Sequence, residues 1–421
     1  ISSMDPATGG PCQGIRNITS IIGKFEVSSD VVCLDAPDCA FLSDDSISCT
    51  ALGPSHTSWA WSPRLLPWLM DNLPSCDVVI QHGLWQYQGF ALLQAKGAME
   101  ARGHKFPRWF IYPHGMLDPW FQKATSRRLK AVRNWLYWKL IEHRVVAKAD
   151  GLLFTSEEER KNAAKTFRPY KPKIARNVGY GIPEPPNNLH DQKAAFAGLF
   201  PELVDRPFLL FLSRIHPKKG LDLLLKAYAE VQKNSTTENT EDTEFPRLVI
   251  AGPCSDKAYW DSLQSLAISL GLQPSNVSCP GFPPCLRPSV SPCENPPPLL
   301  HWPGMLTGDL KWGTLRAASA FVLPSHQENF GIAVVEALAC GTPVLISNKV
   351  NIWREIEQSG AGWVEDDTME GVSSSLRKWV SLKAEKCAGM ETASISCFQK
   401  YFSVASAAQR LAESLRNPAK D

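Results

Sequence analysis

The sequence predicts an α/β protein built on parallel sheets and long enough for two or three domains. Three observations carry this. Residues 320–347 read as strand, loop, helix and strand in immediate succession. Apolar runs of strand length recur along the chain and end in Gly, His or Pro, with stretches of helical spacing between them. The length of 421 residues allows more than one domain with ample core.

The balance of 44 Lys and Arg against 42 Asp and Glu, formally +2, gives no case for nucleic-acid binding by bulk charge. No run of 18 apolar residues occurs, so no transmembrane helix is expected. The polar, Gly-rich start does not read as a signal peptide. Twelve cysteines are scattered, without a C-x-x-C pair or a His spacing that suggests zinc. They read as reduced, mostly buried thiols of a cytosolic protein. No metal site is expected.

In order, Ile1 to Pro11 reads as the tail of a strand and a Gly-rich turn. Gly9 and Gly10 there would let the backbone approach a diphosphate, unless this is an ordinary turn. Strands are expected at Asp30–Leu34, Asp77–Gln81 and Arg108–Tyr112, and helices at Trp61–Asn72 and Gly89–Arg102. The last two strands each end in His-Gly, which puts His82 and His114 at the carboxyl edge of a sheet, where open α/β sheets bind ligands. The plain alternative for each is a structural histidine.

Ser126 to Ala149 reads as one long helix. It carries Arg127, Arg128, Lys130, Arg133, Lys139, Arg144 and Lys148, interleaved with Trp135, Tyr137 and Trp138. Either it lies on an anionic lipid surface, or it is a domain helix with a solvated basic face and an aromatic core stripe. The second reading is favoured. Gly151–Phe154 is a buried strand, and Ser156 with Glu159 fits a capping box. The prolines near Gly181–Pro186 close a first domain, residues 1–185, and 186–205 reads as a linker with a short helix.

The second domain, 206–385, opens with a strand at Pro207–Leu212. Arg214 and Lys219 follow, a planar fork and a compact charge at the start of the next helix, suited to a diphosphate. A solvated basic loop is the alternative. Asn234–Glu244 reads as a mobile loop, Leu248–Gly252 as a strand and Asp256–Leu270 as a helix. Ser278–Leu300 is a Pro-rich insertion whose Cys279, Cys285 and Cys293 lack a fourth metal ligand. His301 to Leu306 is a strand and turn. Ala320–Leu323 is a strand stopped by Pro324. Gly331 then opens a helix with Ile332, Val335, Leu338 and Ala339 at helical spacing, and Gly341 ends it before the strand Val344–Ile346. The N–H groups of Phe330, Gly331 and Ile332 could hold an anion. Glu328 and Glu336 flank this loop. Further elements are a helix at Asn351–Gln358, a strand at Gly362–Val364, a helix at Thr368–Leu382 and a last helix at Phe398–Leu415, with Phe402, Ala407 and Leu411 on one face.

Glu328 and Glu336 stand inside P-S-x-x-E-x-F-G-I-x-x-x-E-A-x-A-x-G-x-P-V. This stretch resembles the signature of the retaining GT-B glycosyltransferases, the nucleotide-sugar-dependent group 1 family (glycosyltransferase family 4-like). Ser213-Arg214 to Leu225 resembles a second signature, G-R-x-x-x-x-K-G-x-D-x-L-L, with Ser213 where Gly is usual. The resemblance implies two Rossmann-like domains facing across a cleft. It also implies a strand before Gly9, most of which is absent here, and a C-terminal segment, 386–421, that crosses back to the first domain.

For the site it implies a donor pocket of Gly9, Gly10, Arg214, Lys219, Gly304, Met305, Glu328, Asn329, Phe330, Gly331, Ile332 and Glu336. In that pocket Glu328 would hold the donor sugar, Glu336 the ribose, and Gly304 and Met305 would lie beside the base. Glu328, His114, Arg214 and Lys219 would carry catalysis, with His114 against the sugar. The implied activity is metal-independent transfer of a hexose from a nucleotide-sugar to a glycan or lipid-linked acceptor, with retention. The H-G-L-W and P-H-G-M-L-D-P-W segments look most like exopolysaccharide-type members. The location implied is the cytoplasm, at the inner face of the membrane if residues 126–149 touch it. A sugar-nucleotide epimerase, a catalytically silent nucleotide- or glycan-binding relative and a peripheral membrane scaffold stay open as alternatives.

Overall fold

The computed structural model describes residues 1–43, 47–123, 128–237, 244–272, 274–275 and 299–416. These divide into two compact units: Ile1–Pro183 with Phe402–Asp421, and Glu184–Tyr401.

In the first unit β1 (Val31–Cys33) pairs in parallel with β2 (Cys49–Ala51). A four-stranded parallel sheet holds β3 (Val78–His82), β4 (Arg108–Tyr112), β5 (Gly151–Phe154) and β6 (Ala175–Asn177) in that order. Every residue of β5 is buried, as expected of a strand covered on both faces. Trp109, Trp138, Phe154 and Leu69 belong to the unit's main core cluster.

Ile1–Asp5 takes no strand, although the Ile1 amine bonds the Val32 carbonyl at 3.0 Å and the Leu34 N–H bonds the Ser2 carbonyl at 3.2 Å. A helix, Gly10–Thr19, follows Gly9 directly. The helix expected at Trp61–Asn72 begins only at Leu65, because Trp61 is held in a bridge to His56.

The stretch read as one helix over 126–149 is three described pieces. An α-helix Arg128–Tyr137 runs into a π turn Trp138–Glu142 and then an α-helix His143–Lys148. Residues 126 and 127 lie outside the described residues. The aromatic stripe is only partly core: Trp138 is fully buried, whereas Trp135 is exposed.

The second unit carries a seven-stranded parallel sheet. Its strands are β7 (Phe208–Leu212), β8 (Arg247–Ala251), β9 (Pro274–Ser275), β10 (Leu300–Gly304), β11 (Ala320–Leu323), β12 (Val344–Ser347) and β13 (Gly362–Glu365), in the order β13-β12-β11-β7-β8-β10-β9. All of β7, β8, β11 and β12 is buried.

The stretch read as a linker is packed. Helix Leu189–Leu199 lies against helix Gly308–Ala317, and the Asn188 amide bonds the Asp309 carboxylate. Residues 234–237 continue the helix Leu221–Thr237, the Ser235 hydroxyl bonding the Val231 carbonyl a turn back at 2.9 Å. Glu244 is anchored by Arg206 and Arg247 at 3.1 and 2.7 Å, and 238–243 lie outside the described residues.

Of the expected insertion, 278–298 with Cys279, Cys285 and Cys293 lie outside the described residues. Leu300 is fully buried and opens β10, so the sheet begins inside that range. The C-terminal segment divides at Phe402 rather than at 386. Helix Ala384–Cys397 groups with the second unit and helix Val404–Arg416 with the first, and a π turn, Phe398–Phe402, separates them.

Candidate active site

The sheet of the second unit reverses its winding between β7 and β11. From β7 the chain proceeds outward to β8 and β10, then returns to start β11 on the other side. Loops leaving the carboxyl ends of such neighbours diverge and leave a crevice, the usual ligand position in an open α/β sheet. The loops here are 213–220 and 324–331, the two motif-bearing stretches.

Backbone packing holds them together. Gly220 has φ 67°, and a Cβ on it would meet the Pro324 carbonyl oxygen at 2.2 Å, so only glycine permits this approach. The His326 N–H donates to the Lys218 carbonyl at 2.7 Å. Lys219, 7% exposed, then forms an ion pair with the Glu328 carboxylate. Glu328 is fixed from its backbone as well. Its N–H donates to the Lys349 carbonyl and its carbonyl accepts from the Asn351 N–H, both at 3.0 Å. Its Oε1 accepts the Asn329 N–H at 3.1 Å.

Gly331, at φ 80°, caps the helix Ile332–Ala339, and its carbonyl accepts from the Val334 and Val335 N–H groups. Glu336 on this helix pairs with Lys311 at 2.8 Å. Lys311 comes from helix Gly308–Ala317, and its ammonium also lies 4.1 Å from the Trp312 ring centroid. Arg214 is exposed. Partial burial and the charges of Lys218, Arg214 and Lys219 hold the His216 imidazole below its usual pKa, a sign of positive potential at this loop. Next door, the Gly252 N–H donates to the Gly304 carbonyl at 2.8 Å, and Met305 beyond it is 65% exposed. Lys219, Glu328, Asn329 and Gly331 thus meet where the two loops pack, with Ile332 and Glu336 on the helix that follows. Arg214 and Gly304 stand at the ends of the adjoining strands.

Gly9, Gly10 and His114 belong to the first unit. Gly9 has φ 96° and opens the helix Gly10–Thr19, whose first carbonyl, on Gly10, accepts the Tyr180 hydroxyl at 2.5 Å. His114, at φ 50°, places Nε2 3.0 Å from His82 Nδ1, and both rings stack on Tyr112. Burial lowers the His114 pKa to about 4. Burial and then the neighbouring His114 lower that of His82 well below the usual value. Both imidazoles are therefore neutral near pH 7, so His114 can donate or accept a hydrogen bond but carries no charge.

Sequence reasoning missed two residues. Glu159 keeps half of the expected capping box: Ser156 Oγ accepts its N–H at 3.1 Å. Its carboxylate, however, turns to the Gly115 N–H at 2.5 Å and to the Thr155 N–H and hydroxyl at 2.8 and 2.6 Å. It holds the His114 loop, and burial raises its pKa. Lys311 sits on a helix the sequence reading passed over. Neither contact leaves a local signal, since the partners are 44 and 25 residues away.

The description "Glycosyl transferases group 1" fits residues 200–283 and 299–395, and "Glycosyl transferase 4-like domain" fits residues 9–176. A D-inositol 3-phosphate glycosyltransferase of Frankia alni is 37% identical over 145 residues, 34% of this chain and 28% of that protein. One from Streptomyces avermitilis is 31% identical over 213 residues, 49% of this chain and 39% of that protein. The chain thus spans well under two thirds of the curated relatives it matches. Among solved structures, Anabaena HepE in complex with UDP and glucose aligns over 99% of this chain and 98% of its own, with a TM-score of 0.64 at 16% identity. Sucrose-phosphate synthase from Thermosynechococcus elongatus aligns over 97% and 94%, with a TM-score of 0.63 at 15% identity. At these identities the likeness concerns the fold, that of the GT-B glycosyltransferases.

Proposed function

Because this chain belongs to the group 1 glycosyl transferases, we propose that it transfers a hexose from a nucleoside diphosphate donor to a glycan or lipid-linked acceptor, in polysaccharide synthesis. The observation that carries the reading is the pairing of Lys219 with Glu328 at the switch between β7 and β11, with Lys311–Glu336 on the adjacent helix. A carboxylate beside a buried cation offers sugar hydroxyls an acceptor and a leaving phosphate a fixed positive charge.

Arg214 and Lys219 take the diphosphate. Glu328 accepts from the sugar hydroxyls and Glu336 from the ribose, while Phe330, Gly331 and Ile332 supply N–H groups toward the phosphate and Asn329, whose N–H is held by Glu328 Oε1, steadies that carboxylate beside the donor. Gly304 and Met305 border the base. Within the first unit, Gly9 and Gly10 leave backbone open to the approach of an anion, and His114, neutral, can give a hydrogen bond. The fixed cations do the work a divalent ion would do, so the reaction needs no metal. The departing phosphate removes the proton of the acceptor hydroxyl on the same face of the sugar, which retains the configuration.

The names of the curated relatives make D-inositol 3-phosphate the second acceptor to try. Melting the protein with UDP-, GDP- and ADP-sugars tests the donor site: a donor at 100 times its Kd stabilises by about 2.7 kcal/mol. Nucleoside diphosphate released only when an acceptor is present separates a transferase from an epimerase or a silent relative. No stabilisation by any of the three would overturn the reading.

A further inference from the structure

The helical stretch from Arg128 to Lys148 turns an apolar stripe away from its own core. Leu129 is 88% exposed, Leu140 66%, Val132 58%, Trp135 51% and Leu136 48%. Of the eleven large hydrophobic side chains exposed among the described residues, these five fall within twelve positions. Exposed apolar residues scattered singly are ordinary, and a cluster is not. Leu129, Val132, Leu136 and Leu140 stand three and four residues apart, so they share one face. Asn134, Trp138, Glu142 and Val145, on the other side, are buried.

The charges segregate with that stripe. Arg128, Lys130, Arg133, Lys139, Arg144 and Lys148 are all exposed. The only acid between 128 and 148 is Glu142, 1% exposed. The outward surface of this stretch thus carries six cations and no anion, in a chain whose overall charge is +2. The guanidinium of Arg133 leans on Asn134 Oδ1 at 3.0 Å, and Lys139 lies 5.9 Å from the Trp135 ring centroid. The cations therefore flank the apolar stripe without covering it.

We propose that this face docks the protein on an anionic phospholipid surface. The stripe enters the boundary between headgroups and acyl chains, Trp135 sits at the interface, and the cations meet anionic headgroups on either side. A second copy of the chain is a poor occupant, because it would bring six cations against six with no acid between them. No helix among the described residues is long and apolar enough to cross a membrane, so the contact is peripheral.

Flotation of the full chain with vesicles tests this. Phosphatidylcholine vesicles should leave the protein in solution, and vesicles containing phosphatidylglycerol should carry it up, less so as salt is raised. Each of Lys130→Glu, Arg133→Glu and Lys139→Glu should lower the partition at least about fivefold. Trp135→Ser with Leu136→Ser should lower it as strongly at unchanged charge. These side chains are exposed, so an unchanged melting temperature will accompany the loss. Failure of the wild type to float with anionic vesicles, or equal flotation of all variants, would overturn the proposal. So would a dimer in solution that the Ser double variant dissociates. The assay contains no sugar donor, so its failure leaves the transferase reading standing.

Discussion

Lys311 and Glu336 form an ion pair, Nζ to Oε1 2.8 Å, between helix Gly308–Ala317 and helix Ile332–Ala339. Their side chains are 23% and 14% exposed, so solvent screens the pair only in part. The pair holds the Glu336 carboxylate in one direction, as the proposed acceptance of two ribose hydroxyls requires. Glu336→Ala is expected to weaken binding of the bare nucleoside diphosphate by about 1.5–3 kcal/mol. Lys311→Met should weaken it less, because the acceptor survives. Titration calorimetry decides between them, and unchanged affinity in Glu336→Ala removes the ribose assignment.

Gly220 tests whether the crevice depends on close backbone approach. Gly220→Ala sets a methyl against the Pro324 carbonyl in a left-handed conformation. Strain of this kind costs about 1–3 kcal/mol. The variant should melt lower and bind donor less tightly, since the loops of Lys219 and Glu328 part. Gly97→Ala is the control. Its Cβ meets nothing within 4 Å inside helix Tyr87–Ala101, so it should gain about 0.5–1 kcal/mol. Equal melting temperatures for the two variants would refute the argument.

The buried titratable groups of the first unit set opposite pH limbs. His114 is held at about 4 against an ordinary 6.5. The unfolded chain therefore takes up the proton first, and stability falls as pH drops from about 6.5 to about 4, by roughly 3 kcal/mol. His82, lowered by burial and by His114, adds to the same limb. Burial lifts Glu142 from 4.5 to about 8, its two carboxylate oxygens having no hydrogen-bond partner among the described residues and the nearby Trp85 backbone offsetting only part of the shift. Here the folded chain keeps a proton that the unfolded chain releases, so stability falls as pH rises from 4.5 to about 8. Above about 6.5 Glu142 acts alone of the three. Glu142→Gln should remove a loss of roughly 2 kcal/mol between pH 6.5 and 8 and leave the acid limb in place. Melting curves across pH measure both limbs, and an unaltered alkaline slope in Glu142→Gln would contradict the burial argument.

What the sequence made legible follows from how each element is stabilised. Gly151–Phe154 and Ala320–Leu323 appear at their expected bounds, because strands covered on both faces must be apolar throughout, and so does Arg108–Tyr112, whose one charged residue stands at its half-buried start. Cys49–Ala51 and Ala175–Asn177 are short and only half-buried, so they carry no such run. Helix Gly308–Ala317, which the sequence reading did not assign, carries Gly313 in its interior, where glycine weakens a helical pattern. The reason for this glycine is packing, since a Cβ there would meet the Gln192 carbonyl of helix Leu189–Leu199 at 2.1 Å. In the site, the residues of the two motifs were legible because each motif is local. Lys311 against Glu336 and Glu159 against Gly115 were not, because long-range pairs leave no spacing to read.

The last prediction concerns charge on the leaving diphosphate. Lys219 is buried, and its ammonium is already held by the Glu328 carboxylate before any donor arrives. It therefore needs no reorganisation when negative charge grows on the phosphate, the condition under which a fixed cation contributes most. Arg214, exposed at the end of β7, adds a planar fork to the same loop. If these two supply the charge, a divalent ion is redundant. If the phosphate itself takes the acceptor's proton, attack and departure share one face of the sugar. Transfer should then proceed in EDTA, retain the anomeric configuration, and fall at least ~100-fold in Lys219→Ala, the scale of losing one preorganised electrostatic contact. Lys219→Arg should recover part of the rate, because the charge returns in a bulkier shape that a 7% exposed site admits poorly. Proton NMR of the product's anomeric coupling, recorded with and without chelator, is the measurement. An inverted product, or activity that vanishes in EDTA and returns with magnesium or manganese, would refute the mechanism while leaving the donor site intact.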